Sequence, residues 1–441
     1  MWGGTPQRNM ASPIKNLPAT WDIKTKKNVK WKVDIGTTSY GNPVVADGKI
    51  FVGANNENPK DPKITGDKGV LMCFRESDGK FLWQAVSDKL EPAYDWPEQG
   101  VCSSPAVEGK RLYYVTNRAE LVCLDTEGFM DGRNDGPFKE ESHTGPTDAD
   151  IIWKLDMMKE LGVSAHNMAN SSPVVWGDYV FVETSNGMDE NHEKIADPSA
   201  PSFIAVDKNS GKVVWKDNSP GSRILHGQWS SPAIGEVDGT PQAFFPGGDG
   251  LLYGFDARTG QKLWSFDLNP KDAVWPKTRN YPIATPVFFD GKVFLAVGQD
   301  PENGEGVGHL YCIDPAKRGD ITQSGRIWQF DKIRRSISTA AIADGLLYIS
   351  DFTGFLHCLD AGSGKPYWSV DMLSSIWGSP MVADGKVYIG DEDGVVAVFQ
   401  AGKELKKIAE NNMGSAVYST PVAANGVLYI MSRSELYALT N

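Results

Sequence analysis

Residues 378–390 read GSPMVADGKVYIG: a Pro at the threshold of a strand, a short apolar run, the turn dipeptide Asp384-Gly385, and a second apolar run. Asp-Gly between two apolar runs is a strong local signal for a β-hairpin, because the turn needs residues that accept positive φ. The same grammar stands at seven other places: GNPVVADGKIFVG, SSPAVEGKRLYYV, SSPVVWGDYVFVE, SSPAIGEVDGTPQAFF, ATPVFFDGKVFLA, STAAIADGLLYIS and STPVAANGVLYIM. The Pro or its equivalent falls at Pro43, Pro105, Pro173, Pro232, Pro286, Ala340, Pro380 and Pro421. Successive spacings are 62, 68, 59, 54, 54, 40 and 41, so the bare unit has 40 or 41 residues and the longer ones carry insertions.

In the first six units the hairpin is followed by a third strand, a turn and a fourth strand carrying Trp, as in FIAVDKNSGKVVW, LLYGFDARTGQKLW and LHCLDAGSGKPYW; the seventh unit, KELKKIA, lacks the Trp. Four strands per unit of about 40 residues is the arithmetic of a β-propeller blade. The expected fold is all-β, one eight-bladed β-propeller of four-stranded antiparallel blades over 1–441, with blades starting near 42, 104, 172, 231, 285, 339, 379 and 420. The eighth unit ends at LYALTN without a fourth strand, and NVKWKVD around Trp31 is a fourth strand without a hairpin. The segment 28–34 is therefore expected to complete the last blade. A linear solenoid would leave both irregularities unexplained.

Composition narrows the function. Acidic residues outnumber basic ones 56 to 44, with a net charge of −12 and no Lys/Arg run, so nucleic acid is not an expected partner. No apolar stretch is long enough for a membrane span, and the first residues lack the features of a signal peptide. Four of the five cysteines, Cys73, Cys123, Cys312 and Cys358, occupy one third-strand position where other units have Ala205, Gly254 or Ala397. They are expected to be small buried fillers. Cys102, in GVCSSP, stands nearer the inner loops and is a candidate reactive thiol.

The repeats resemble those of the quinoprotein alcohol dehydrogenase-like superfamily, whose Ala-x-Asp-x-x-Ser/Thr-Gly-Lys-x-x-Trp signature is closest at 206–215, 255–264 and 359–368. The resemblance implies a propeller fold over nearly the whole chain. It leaves activity open, since the superfamily includes pyrroloquinoline quinone (PQQ) enzymes, an outer-membrane-assembly lipoprotein and cofactor-free proteins. It implies export to the periplasm or beyond, with a cytoplasmic location not excluded.

Long segments precede the first strands (87–103, 157–171, 217–230, 268–284) or join the second and third (54–69, 184–202, 299–309), which places the elaborated loops on one rim. Insertions 126–150 and 315–325 belong to the other face; DGRNDG in the first resembles an EF-hand start but lacks the Glu at its twelfth position, so a solvated acidic loop is expected there. Residues just before innermost strands are expected to face a central funnel: Tyr40, Gln99, His166, Asn167, Asn170, His226, Gln228, Trp229, Tyr281, Arg334, Arg335, Trp377 and Tyr418. Amides, histidines, an Arg pair and aromatic faces are the usual equipment of a small-molecule site. The two histidines have no ligand partner at short spacing, which favours hydrogen bonding over metal ligation. Carboxylates including Glu305 sit on the same rim and could hold calcium.

The expected function is an exported, monomeric propeller that binds a small polar ligand, for example a carbohydrate. Two alternatives stand beside it. One is a PQQ-dependent alcohol or sugar dehydrogenase with calcium, in which the resemblance of VETSNG to the family's metal-binding stretch makes Asn186 a ligand. The other is an assembly scaffold with a protein partner. Whether a reaction is catalysed is left open by the sequence.

Overall fold

The computed structural model describes residues 1–299 and 306–441. Its strands assort into eight antiparallel sheets in the expected order, giving an eight-bladed β-propeller. The third blade is representative, with Val174–Trp176, Tyr179–Glu183, Phe203–Asp207 and Val213–Asp217 paired in sequence order. The last blade joins Val422–Ala424, Val427–Met431 and Glu435–Leu439 to the N-terminal strand Val29–Asp34, as the orphan strand predicted. The chain divides into two compact units. Residues 33–229, with Met1–Trp2, hold the first three blades; residues 230–441, with Gly3–Lys32, hold the last five.

The first six blades are locked by a Trp in the fourth strand, whereas the seventh, whose outer strand is Lys407–Asn412, has none. Cys73, Cys123, Cys312 and Cys358 pair directly with Trp83, Trp153, Trp328 and Trp368, while Ala205 and Gly254 pair with Trp215 and Trp264. Directly paired residues share a sheet face, so a large indole demands a small neighbour. At Gly254 a Cβ would lie 2.1 Å from Cε2 of Trp264. All five cysteines are buried free thiols, as their register predicted for four of them. Cys102 is also enclosed, and burial pushes its thiol up to about 12, away from reactivity.

The indoles also reach the next blade, donating to backbone carbonyls: Trp83 to Thr126 (3.1 Å), Trp153 to Lys208 (3.1 Å), Trp328 to Ala361 (3.1 Å) and Trp368 to Gly402 (3.0 Å). The acidic residue of the repeat signature shapes the turn before Trp. Asp207, Asp256 and Asp360 accept from backbone N–H groups two or three residues on. Gly211, Gly260 and Gly364 then take φ of +72, +72 and +70°, closing the turn where a side chain would be strained.

The small polar residue before each Pro has a structural purpose of its own. The backbone N–H of Asn42 donates to Ser104 Oγ (2.8 Å), and that of Ser104 to Ser172 Oγ (3.0 Å). In the five-blade unit Thr285 N–H reaches Thr339 Oγ1 (3.2 Å), Thr339 N–H reaches Ser379 Oγ (2.9 Å) and Ser379 N–H reaches Thr420 Oγ1 (3.2 Å). Each hydroxyl thus satisfies a buried donor of the preceding blade, which explains why Ser or Thr recurs there.

Within the five-blade unit the N-terminal segment lies against the open edges of the innermost strands. Ile234 N–H donates to Pro6 O (2.8 Å), Phe288 N–H to Gln7 O (3.0 Å) and Val382 N–H to Met10 O (2.9 Å). Asn9 exchanges two bonds with the backbone of Ile342, and Ser12 Oγ donates to Ala423 O (3.4 Å). Arg8 is fully buried, with Nε donating to Pro232 O (3.1 Å), and its burial lowers the guanidinium pKa to about 9. One short segment therefore satisfies edge groups in all five blades, a role its sequence did not advertise.

The two insertions outside the rim also cover edges. Residues 147–149 bond to Gln84 in the outer strand of the first blade, and Gly319–Asp320 pairs parallel with Lys262–Asp267 in the fourth. In the EF-hand-like stretch Asp131 Oδ1 accepts from Arg133 N–H (2.9 Å), closing a local turn.

Candidate functional site

In the three-blade unit the long loops are joined into one layer by main-chain hydrogen bonds. Asn167 N–H donates to Ala93 O (2.9 Å), and Trp96 N–H to Asn167 O (2.7 Å). Likewise His166 N–H reaches Ser185 O (3.3 Å), Gly187 N–H reaches Ser164 O (3.0 Å) and Met188 N–H reaches His226 O (2.9 Å). Beneath this layer Lys89 pairs with the buried Asp95, which also accepts from Asn117 Nδ2 (2.7 Å). Burial raises the Asp95 carboxyl above the ordinary range despite these partners.

Three histidines meet in this layer. His166 comes from the segment entering the third blade, His192 from the connection between that blade's second and third strands, and His226 from the segment leaving its fourth strand. Nδ1 of His166 lies 3.2 Å from Met188 O, and its Nε2 lies 3.0 Å from Nε2 of His226. The carbonyl fixes Nδ1 of His166 as the protonated nitrogen, so its Nε2 is the acceptor. Trp229 stacks on His166 with ring centroids 6.1 Å apart and donates its indole N–H to His166 O (3.0 Å). His192 is exposed, at φ +57° in a turn closed by its N–H to Asp189 O (3.0 Å). Its ring centroid is 4.6 Å from His166 and 5.1 Å from His226. One ligating atom from each of the three falls within 4.8 Å of the others.

Electrostatics keep the buried pair uncharged. Desolvation, followed by the nearby charge of His192, lowers His166 to about 4; desolvation and both neighbouring histidines lower His226 to about 3. Both imidazoles therefore keep a lone pair at neutral pH. The arrangement can accept a hydrogen bond or ligate a metal ion.

The other expected site residues of this unit divide by role. Gln228 is buried and donates to Asn186 O (2.8 Å) and Ser202 Oγ (3.0 Å), bracing the loops. Asn167 occupies a left-handed position, φ +61°, which Asn tolerates, and its backbone joins two loops. Gln99 and Asn170 are half-buried, each with its side-chain oxygen enclosed and without a hydrogen-bond partner among the described residues. Tyr40 is half-buried.

In the five-blade unit the adjacent arginines do not form one fork. Arg335 is buried and donates Nη2 to Pro276 O (2.8 Å) and Lys277 O (3.0 Å), while Arg334 is exposed with its guanidinium 6.0 Å from the centroid of Phe355. Tyr281 is buried against Trp275, and Trp377 packs edge-on to Tyr418 at 5.3 Å.

His192 is the residue that sequence reasoning missed. It has no neighbour at ligand spacing, but its connection enters the same rim as the loops bearing His166 and His226, and that was the available signal.

Calcium beside a quinone finds poor support in this donor set. Asn186 is fully buried, its Oδ1 accepts from Ser164 N–H (3.0 Å) and its Nδ2 donates to Asp197 O (3.0 Å). The amide staples two loops together and offers no accessible oxygen. Glu305 lies outside the described residues.

A family model described as outer membrane protein assembly factor BamB matches residues 144–299 and 248–440. The chain is 22% identical over 330 residues to outer membrane protein assembly factor BamB of Yersinia pestis, covering 68% of this chain and 71% of that protein. Among solved structures, BamB from Moraxella catarrhalis superposes with a TM-score of 0.58 at 15% identity, covering 93% of this chain and 96% of the other. Quinohemoprotein alcohol dehydrogenase from Comamonas testosteroni gives a TM-score of 0.67 at 14% identity, covering 100% of this chain and 80% of that one. These structural likenesses show the fold.

Proposed function

Because this chain belongs to the PQQ-repeat β-propeller family whose model is described as outer membrane protein assembly factor BamB, we propose that it is an exported, monomeric binding propeller that takes a small polar ligand on the loop layer of its three-blade unit. The observation that carries this reading is the meeting of His166, His192, His226 and Trp229 on hydrogen-bonded loops that the repeat does not need. A purely structural layer gains nothing from two uncharged imidazoles beside an exposed third. Half-buried Tyr94 and Trp96 on the same layer supply aromatic faces suited to a sugar ring.

Thermal-shift titration of the full chain with neutral saccharides, polyols and short carboxylates tests the reading. A saturating stabilisation that weakens in Trp96→Ala and His192→Ala supports it. Shifts indifferent to both substitutions overturn it.

A second reading, protein assembly, is favoured by Leu373 and Val274, which are 86% and 62% exposed on loops of the five-blade unit. It predicts that Leu373→Ser with Val274→Ser weakens co-sedimentation with solubilised outer-membrane β-barrel proteins. A dehydrogenase reading through PQQ and calcium is weakened by the engaged amide of Asn186.

A further inference from the structure

We propose that His166, His192 and His226 bind one divalent late first-row transition-metal ion, of the Zn2+ class, leaving a coordination position open to solvent. The inference rests on the loop layer being a binding surface and goes further by assigning what it holds.

Three imidazoles are the donor set that suits zinc, copper and nickel, whereas calcium and magnesium require oxygen. The present separation of 3.0 Å between Nε2 of His166 and Nε2 of His226 is close to the roughly 3.3 Å that two nitrogens at tetrahedral zinc require. A small ring rotation bridges the difference. His192 stands at the exposed tip of its turn, so its ring can swing onto the ion without disturbing the core.

The outer contacts are those of a metal site. Met188 O accepts from Nδ1 of His166, fixing the tautomer whose Nε2 lone pair faces Nε2 of His226, where a metal ion would replace the proton the two rings now share, and Trp229 holds the ring plane by stacking and through its bond to His166 O. With three protein ligands and an exposed side, the ion would keep one position for water or for an oxygen of the polar ligand, the open geometry of sites that act on small molecules.

The test uses the full chain stripped by chelator and dialysed. Titration with Co2+ should produce visible d–d bands saturating at one equivalent, and competition with a chromophoric chelator should give the Zn2+ affinity. His192→Ala should weaken Zn2+ binding ~100-fold or more, since loss of even an outer-shell partner costs about 10–100-fold. Because His192 is exposed, the metal-free variant should keep the wild-type melting temperature; His143→Ala serves as a control that leaves affinity unchanged. Absence of saturable Co2+ bands, or a Zn2+ affinity unchanged by His192→Ala, overturns the metal site. If cobalt is silent while saccharides or carboxylates still give His192-dependent thermal shifts, the metal assignment fails and the binding surface stands. If both are silent, the surface reading fails with it.

Discussion

Replacing Asn9 by Ala isolates the contribution of the N-terminal segment to the five-blade unit. Asn9 donates Nδ2–H to Ile342 O at 2.9 Å and accepts from Ile342 N–H at 2.8 Å. Ile342 is 1% exposed, so both of its backbone groups depend on this side chain. Each lost bond costs about 0.5–1.5 kcal/mol net, and more where the abandoned group stays dry. Asn9 is itself half-buried, which lets some water reach the gap, so the expected loss is about 1.5–3 kcal/mol. Asn9→Asp retains the acceptor and should fall between Ala and wild type. Ser12→Ala removes only a 3.4 Å bond and should change stability by less than about 0.5 kcal/mol. Urea unfolding followed by both tryptophan fluorescence and far-ultraviolet dichroism reads these differences as midpoint shifts at constant slope. An Asn9→Ala protein within about 0.5 kcal/mol of wild type, together with an unshifted chain lacking residues 1–12, would refute the claim that this segment seals the inner edges.

Trp264→Ala should cost about 3–5 kcal/mol by opening a core cavity, and Gly254→Ala about 1–3 kcal/mol by forcing a methyl into the indole; equal stability of either variant in the same urea assay would contradict the Trp lock. His166 and His226 have folded-state pKa values of about 4 and about 3, below the ordinary 6.5 of the unfolded chain. The unfolded state therefore binds more protons in this window: their stabilisation is present above pH 6.5 and is lost as pH falls toward 4 and 3. Metal-free wild type should lose stability over that range more steeply than a His166→Gln/His226→Gln variant, and parallel pH profiles would disprove the buried neutral pair. The five thiols should be unreactive toward a disulfide reagent in the native chain and all titrate in urea, and rapid native labelling of Cys102 would mean that its enclosure is wrong. Arg335→Ala should expose the 268–284 loop to limited proteolysis by removing the donor to Pro276 O and Lys277 O; an unchanged cleavage pattern would leave that anchor without a role.

The sequence alone determined the features that repeat. Asp-Gly turns, alternating apolar runs and a fourth-strand Trp in most units report local geometry, which each unit states independently of the others. The small residue opposite each Trp was visible as the shared position of Cys73, Cys123, Cys312 and Cys358, because the steric demand of an indole recurs with the repeat. The orphan strand at Trp31 was legible for the same reason, as one missing member of a counted set.

What does not repeat was decided by tertiary structure. Residues 6–12 carry no pattern because their partners, from Ile234 to Ala423, are backbone groups on separate blades, and backbone groups leave no signature in sequence. Arg334 and Arg335 are adjacent in the chain yet divide between solvent and a buried loop anchor. Asn186, Gln228 and Asn167 look like ligand-binding amides, but loops without regular pairing must satisfy their own buried polar groups, and these residues do so. His166, His192 and His226 are separated by 26 and 34 residues, and only the folding of three loops over one blade brings their nitrogens within 4.8 Å.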